Sequence, residues 1–222
     1  MSLHFRKNCG LPADQMAGFS LVELLVSISI VALIMTVVIS NQANYTDRAN
    51  LTNLADEIGL SISQAQAYGV STKEFPTNPG EFNASYGLTF SLLGNPAGSS
   101  LAYLYFADRG NPSNKRYDDG GNWITCTPGG ASECLQKTNI SGGNDIQSLC
   151  MIINLLADDC TTPRRIDISF DRPNTEAQII FFNNLGNTYT NSAMIGARII
   201  LRSASGLTKS VLVYKTGQVS IQ

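Results

Sequence analysis

The chain has 222 residues, of which 43% are hydrophobic and 14% charged, and its formal net charge is −2. That is enough for one well-buried domain plus an anchor and is tight for two full domains. No basic block occurs anywhere in the sequence, which argues against a broad electrostatic grip on nucleic acid.

Gly18 to Ser40 reads GFSLVELLVSISIVALIMTVVIS, and within it Phe19 to Ile39 is an apolar run of 21 residues broken by one charge, Glu23. A helix of that length rises about 30 Å, the thickness of a bilayer's hydrocarbon core. A lone carboxylate in such a span costs about 2–3 kcal/mol at depth, which makes Glu23 a functional candidate in need of a partner. A secretory signal peptide fits poorly, because its apolar core would be shorter and would end at a small-x-small site. Here eleven residues separate Arg6 and Lys7 from the run, which begins abruptly after Gly18.

Gly18-Phe19-Ser20-Leu21-Val22-Glu23-Leu24-Leu25 resembles the class III signal of type IV prepilins and pseudopilins. The resemblance implies a leader over residues 1–18, a cut by a membrane-embedded prepilin peptidase between Gly18 and Phe19, and methylation of the new N-terminus. It also implies that Glu23, fifth in the mature subunit, pairs with the N-terminal amine of an adjacent subunit. A charge that is costly in lipid then finds its partner in the assembly and sets register and direction. Loss of the leader removes Arg6, Lys7 and Asp14 and leaves the mature chain more acidic.

Five cysteines are present, and with Cys9 in the leader, Cys126, Cys134, Cys150 and Cys160 remain in the exported part. An even number in an exported domain favours disulfides. Three connectivities are open; the local pairs Cys126–Cys134 and Cys150–Cys160 close the shortest loops and would contribute about 2–3 kcal/mol each in the chain-entropy model. Zinc is the weaker alternative, since there is no CxxC and the only histidine, His4, lies in the leader.

The fold expected is α+β, with one long N-terminal helix packed on a mainly antiparallel β-sheet head. Residues 19–40 form its transmembrane or filament-core half and 41–69 its amphipathic half, with the head over 70–222. In the amphipathic half Leu51, Leu54, Ala55, Ile58, Ile62 and Ala65 recur at three- and four-residue steps. The span has no kinking proline, though Ser27, Ser29 and Thr36 are positioned to loosen it. Gly69 and Pro76 mark the helix exit, and Thr72–Ser85 reads as a connection.

Tyr86–Leu93 and Leu101–Ala107 read as a hairpin about the turn signal Gly94-Asn95-Pro96-Ala97-Gly98. Asp108 to Asp145 reads as a long irregular region tied down by Cys126 and Cys134, with Tyr117 and Trp123 as core pins or as contact residues on an exposed face, the core reading being favoured. Its Asp108, Asn111, Asn114, Asp118 and Asp119 offer oxygens to a calcium ion, but the spacing is not that of an EF-hand, and such clusters are most often solvated turns. Gln147–Ala157 fits a short helix or a buried strand equally well. Strands then follow over Arg165–Phe170, Ala177–Phe182, Ala193–Arg202, Lys209–Lys215 and Gln218–Ile221, with a last turn at Thr216-Gly217.

The closing run ARIILRSASGLTKSVLVYKTGQVSIQ is similar to the end of GspH/FimT-type minor pilins and pseudopilins. Some of that group bind DNA through arginines near the final glycine; here Gln218 follows Gly217, so the resemblance gives DNA no specific support. No GxSxG, SxxK or P-loop is present, and the mature part has no histidine for a general base. Asp118-Asp119 and Asp158-Asp159 read as turn residues and Arg164-Arg165 as a solvated strand entry. The resemblance thus implies a structural subunit, without catalysis or cofactor, of a type IV pilus, type II secretion pseudopilus or competence filament. Its partners would be prepilin peptidase, other pilin-like subunits, and an inner-membrane assembly platform driven by a separate ATPase. It would cross the cytoplasmic membrane once, with its head outside the cytoplasm. The alternative is a membrane-anchored binding or adhesin module that does not polymerise.

Overall fold

The computed structural model describes residues 18–71, 74, 84–94, 96–109, 113–118, 123, 125–126 and 132–222. It divides into two compact units, Met1–Ala43 and Asn44–Gln222, and one helix, α1 (Leu21–Val70), contributes to both. The second unit is α+β. Its strands are β1 (Ser85–Ser91), β2 (Ala102–Asp108), β3 (Cys134–Asn139), β4 (Asp145–Ile153), β5 (Arg165–Phe170), β6 (Gln178–Phe182), β7 (Thr188–Tyr189), β8 (Met194–Arg202), β9 (Thr208–Tyr214) and β10 (Val219–Ile221). They form a six-stranded sheet in the order β3-β2-β1-β5-β6-β7 and a four-stranded sheet in the order β10-β9-β8-β4, antiparallel throughout.

The apolar stripe of α1 closes the main core. Leu51, Leu54, Ala55, Ile58, Ile62 and Ala65 are all buried, and they pack with Leu88, Phe90, Ile166 and Ile168 of the larger sheet and Ile199, Val211 and Val213 of the smaller one. The helix ends at Val70, one residue past the expected exit, with Gly69 buried in its last turn. A Cβ at Gly69 would stand 2.3 Å from the carbonyl oxygen of Phe170, so this glycine permits close backbone approach to β5.

Strand β1 is buried along its whole length because both faces of its sheet are covered. Tyr86, Leu88 and Phe90 face inward opposite Phe170, Ile168 and Ile166, while Thr89 and Ser91 stand on the other face opposite Asp167 and Arg165. That outer face carries a second apolar cluster of Leu104, Phe106, Tyr117, Trp123 and Cys134, with Cys126 packed against it. Tyr117 and Trp123 are therefore core pins, as expected.

In the middle of the chain one expectation changes and one open alternative is decided. The region Asp108 to Asp145 is not irregular throughout, because it contains β3, an edge strand paired only with β2. Gln147–Ala157 resolves into the body of β4, which pairs with β8 from Asp145↔Arg202 to Ile153↔Met194, followed by a loop. β5, β6, β8, β9 and β10 lie within a residue or two of their expected places, β7 was not expected, and Gly217 turns the last hairpin at φ +84°. Most of the Thr72–Ser85 connection lies outside the described residues.

Candidate processing and assembly site

Gly18, Phe19 and Ser20 are non-helical and exposed, and α1 begins at Leu21. The start is fixed by Ser20, whose Oγ accepts the Glu23 backbone N–H at 3.2 Å while its carbonyl accepts the Leu24 N–H at 3.2 Å. Ser20 is thus an N-cap and Glu23 occupies the third helical position, the Ser-x-x-Glu pattern of a capping box. The Ser-x-x-Glu spacing is a local helix-start signal in addition to the charge that makes Glu23 a candidate. An acidic group in the first turn also meets the positive end of the helix dipole.

The segment Leu21–Ile39 has a mean hydropathy of 2.7 and none of it is buried. Its hydroxyls are satisfied within the helix: Ser27 Oγ donates to the Glu23 carbonyl at 2.7 Å, Ser29 Oγ to Leu25 at 2.8 Å and Thr36 Oγ1 to Ala32 at 2.8 Å. With backbone and hydroxyls bonded internally, an apolar solvent is tolerated at every position except Glu23.

The prokaryotic N-terminal methylation motif matches residues 15–39. Over those residues the chain is similar to type IV pilin-like precursors. No curated protein and no solved structure matches it. The motif is that of precursors processed by prepilin peptidase, and Leu21–Ile39 is long and apolar enough to cross a membrane. Of the leader expected over residues 1–18, only Gly18 lies within the described residues.

The remaining candidates lie in the second unit. Cys126 is joined to Cys134 and Cys150 to Cys160. Asp108 is buried and its Oδ2 accepts Ser113 Oγ at 2.6 Å and the Lys115 backbone N–H. Asp118 pairs instead with Arg116 at 2.9 Å and accepts the Asn114 amide, so the two carboxylates serve different local contacts. Asn111 and Asp119 lie outside the described residues. Among the described residues no cluster of three or more His, Cys, Asp or Glu side chains is placed to hold a metal.

Arg165 is not a solvated strand entry. Its Nε and Nη2 donate to the two carboxylate oxygens of Asp167 at 2.9 and 2.5 Å, and its guanidinium lies 4.4 Å from the centre of the Phe182 ring. Asp167 is fully buried and also accepts Thr89 Oγ1 at 2.5 Å and the Tyr117 N–H at 2.9 Å. Arg165 Nη2 donates in turn to the Tyr117 carbonyl. This network clamps the Tyr117 segment onto the outer face of the sheet. Alternation in Arg165–Phe170 gave the strand, but nothing in the sequence announced that its polar face would be covered.

Proposed function

We propose that this chain is a structural subunit of a type IV pilus, a type II secretion pseudopilus or a competence filament, cut between Gly18 and Phe19 and assembled by packing of its apolar helix. The observation that carries this is the unburied apolar surface of Leu21–Ile39, beginning directly after a capped start and lying within the residues that match the methylation motif. Before assembly that surface is dissolved in lipid; in a filament it packs against neighbouring helices. Glu23 would pair with the amine of an adjacent Phe19, and the similarity of the C-terminal hairpin to GspH/FimT-type subunits favours a minor subunit. An extracytoplasmic head agrees with two disulfides in the second unit.

Intact mass and N-terminal sequencing of the full chain expressed with a prepilin peptidase, beside a Gly18→Ala variant, tests the reading. We expect loss of residues 1–18 and a free or methylated Phe19, abolished in the variant. An uncut chain, or a cut at another bond, would remove the assignment.

A further inference from the structure

A polar cavity of about 180 Å³ lies where the second half of α1 meets the turn that joins β3 to β4. Asn50, Asn53 and Glu57 line it from the helix, at three- and four-residue steps along the flank of the buried stripe. Asn139, Ser141 and Asn144 line it from the turn, and the buried Leu54 and Ile140 supply its apolar surface. All of these residues belong to the second unit.

Asn144 is 3% exposed, and its Nδ2 donates to the Ser141 carbonyl at 3.3 Å while its Oδ1 has no protein partner. A buried acceptor that the fold leaves open asks for a donor from outside the chain. Gly142, at φ +73°, keeps the approach clear: a Cβ there would stand 3.3 Å from Asn50 Nδ2 and 3.7 Å from Asn144 Nδ2. The glycine thus lets two carboxamides converge on one spot. At the rim, Tyr103 Oη donates to Glu57 Oε1 at 3.3 Å and steadies that carboxylate.

The lining selects the chemistry of what binds. Glu57 is the one charged side chain among the described residues of the cavity, and its negative charge disfavours an anion. A calcium ion takes about six to eight oxygens, several of them from carboxylates, and a single glutamate falls short of that. A carboxamide carries two donors and an acceptor, so four of them suit a neutral ligand that donates and accepts at adjacent points. Vicinal hydroxyls on a sugar ring do this, each being a donor and an acceptor at once. We propose that the cavity binds one pyranose unit of a neutral glycan. One hydroxyl donates to Asn144 Oδ1, its neighbour accepts from Asn50 Nδ2, a third donates to Glu57, and the C–H face of the ring lies on Leu54 and Ile140. A volume of about 180 Å³ is the room of about six waters at about 30 Å³ each, which admits a single ring and no larger group. The site does not depend on the filament reading above.

The test is saturation-transfer NMR on the full chain in lipid nanodiscs, titrated with glucose, galactose, mannose and N-acetylglucosamine to about 20 mM, beyond the millimolar range of weak specific sites. At least one of these sugars should bind saturably. Gly142→Asn suits the left-handed backbone while filling the cavity, and it should abolish the signal. Gly186→Asn makes the same change at φ +75° where a Cβ meets nothing within 4 Å, and it should bind as the parent does. Asn50→Ala removes one donor at a helical position that alanine favours, and it should weaken binding about ten-fold with no fall in the thermal transition. If Gly142→Asn proves unstable, Asn50→Ala decides alone. Absence of saturable binding by all four sugars would mean that water alone meets Asn144, and would overturn the proposal. Binding that survives both cavity variants would also overturn it, as would saturable binding of calcium chloride or inorganic phosphate in place of the sugars.

Discussion

Asp167 carries a carboxylate into a fully buried position, and it is tolerated there because hydrogen bonds reach both of its oxygens and the Arg165 guanidinium donates to each. Removing one partner of such a pair leaves an uncompensated charge, which costs about 3–5 kcal/mol. Asp167→Ala should therefore lower stability by about that much, and Asp167→Asn by less, because the amide retains an acceptor for Tyr117 or Thr89. Denaturant unfolding of the two variants measures it; equal stability of Asp167→Ala and the parent would mean that the clamp on Tyr117 is held by the apolar cluster alone. Asp159 behaves differently. Partial burial pushes its carboxyl up, but the Thr162 and Thr161 groups that donate to it outweigh this and hold it below the usual carboxylate value. Its stabilising effect is present above the unfolded carboxylate pKa of about 3.9 and is lost as pH falls through the lower folded value. Asp159→Asn should flatten that acid limb slightly, the effect being small because the group is solvent-accessible.

At the scale of elements, helix α1 meets its neighbours through two glycines with opposite requirements. A Cβ at Gly69 would lie 2.3 Å from the Phe170 carbonyl oxygen and 2.7 Å from the Phe170 Cβ, both fixed by β5. At Gly59 the nearest atom would be the end of the Ile221 side chain at 3.3 Å, which can rotate away. Gly69→Ala should accordingly cost about 1–3 kcal/mol through overpacking. Gly59→Ala should be neutral or stabilising by up to about 1 kcal/mol, from helix propensity. Thermal unfolding of the two variants side by side decides it, and an equal loss in both would show that helix packing rather than backbone approach sets the cost.

The same elements show what the sequence carries and what it does not. The α1 stripe and the Arg165–Phe170 strand were legible because one partner layer imposes one period on each. β3, with the sequence CLQKTN, and the two-residue β7 were not, since edge strands bury little and need no apolar alternation. β4 was ambiguous because Cys150 and Ile152 on its outer face are buried like Leu149 and Met151 on the inner one, which erases the alternation. The Arg165–Asp167 clamp was not legible for a related reason: its partner Tyr117 lies nearly fifty residues away. The Ser20–Glu23 cap, by contrast, was available as a local pattern.

For the molecule as a whole, the question is what Glu23 does in a span that otherwise suits lipid. Its backbone N–H is engaged by Ser20 Oγ, and that bond would survive replacement of the side chain. The carboxylate itself is therefore dispensable for starting the helix. It is also a burden on insertion, since an ionised group costs about 2–3 kcal/mol at depth. Its first-turn contact with the helix dipole returns only about 0.3–1 kcal/mol, so the charge suits a state in which it meets an opposite one, and the amine that the proposed cleavage before Phe19 would create is such a charge. Glu23→Gln keeps the shape and hydrogen-bonding reach while deleting the charge. We expect membrane insertion and the extent of leader removal to stay within two-fold of the parent, and recovered filaments to fall at least ten-fold. Immunoblots of membrane and sheared-filament fractions give both readings from one culture. Unchanged filament yield would mean that apolar helix packing sets the register unaided; a parallel loss of cleavage would place Glu23 in recognition by the peptidase instead.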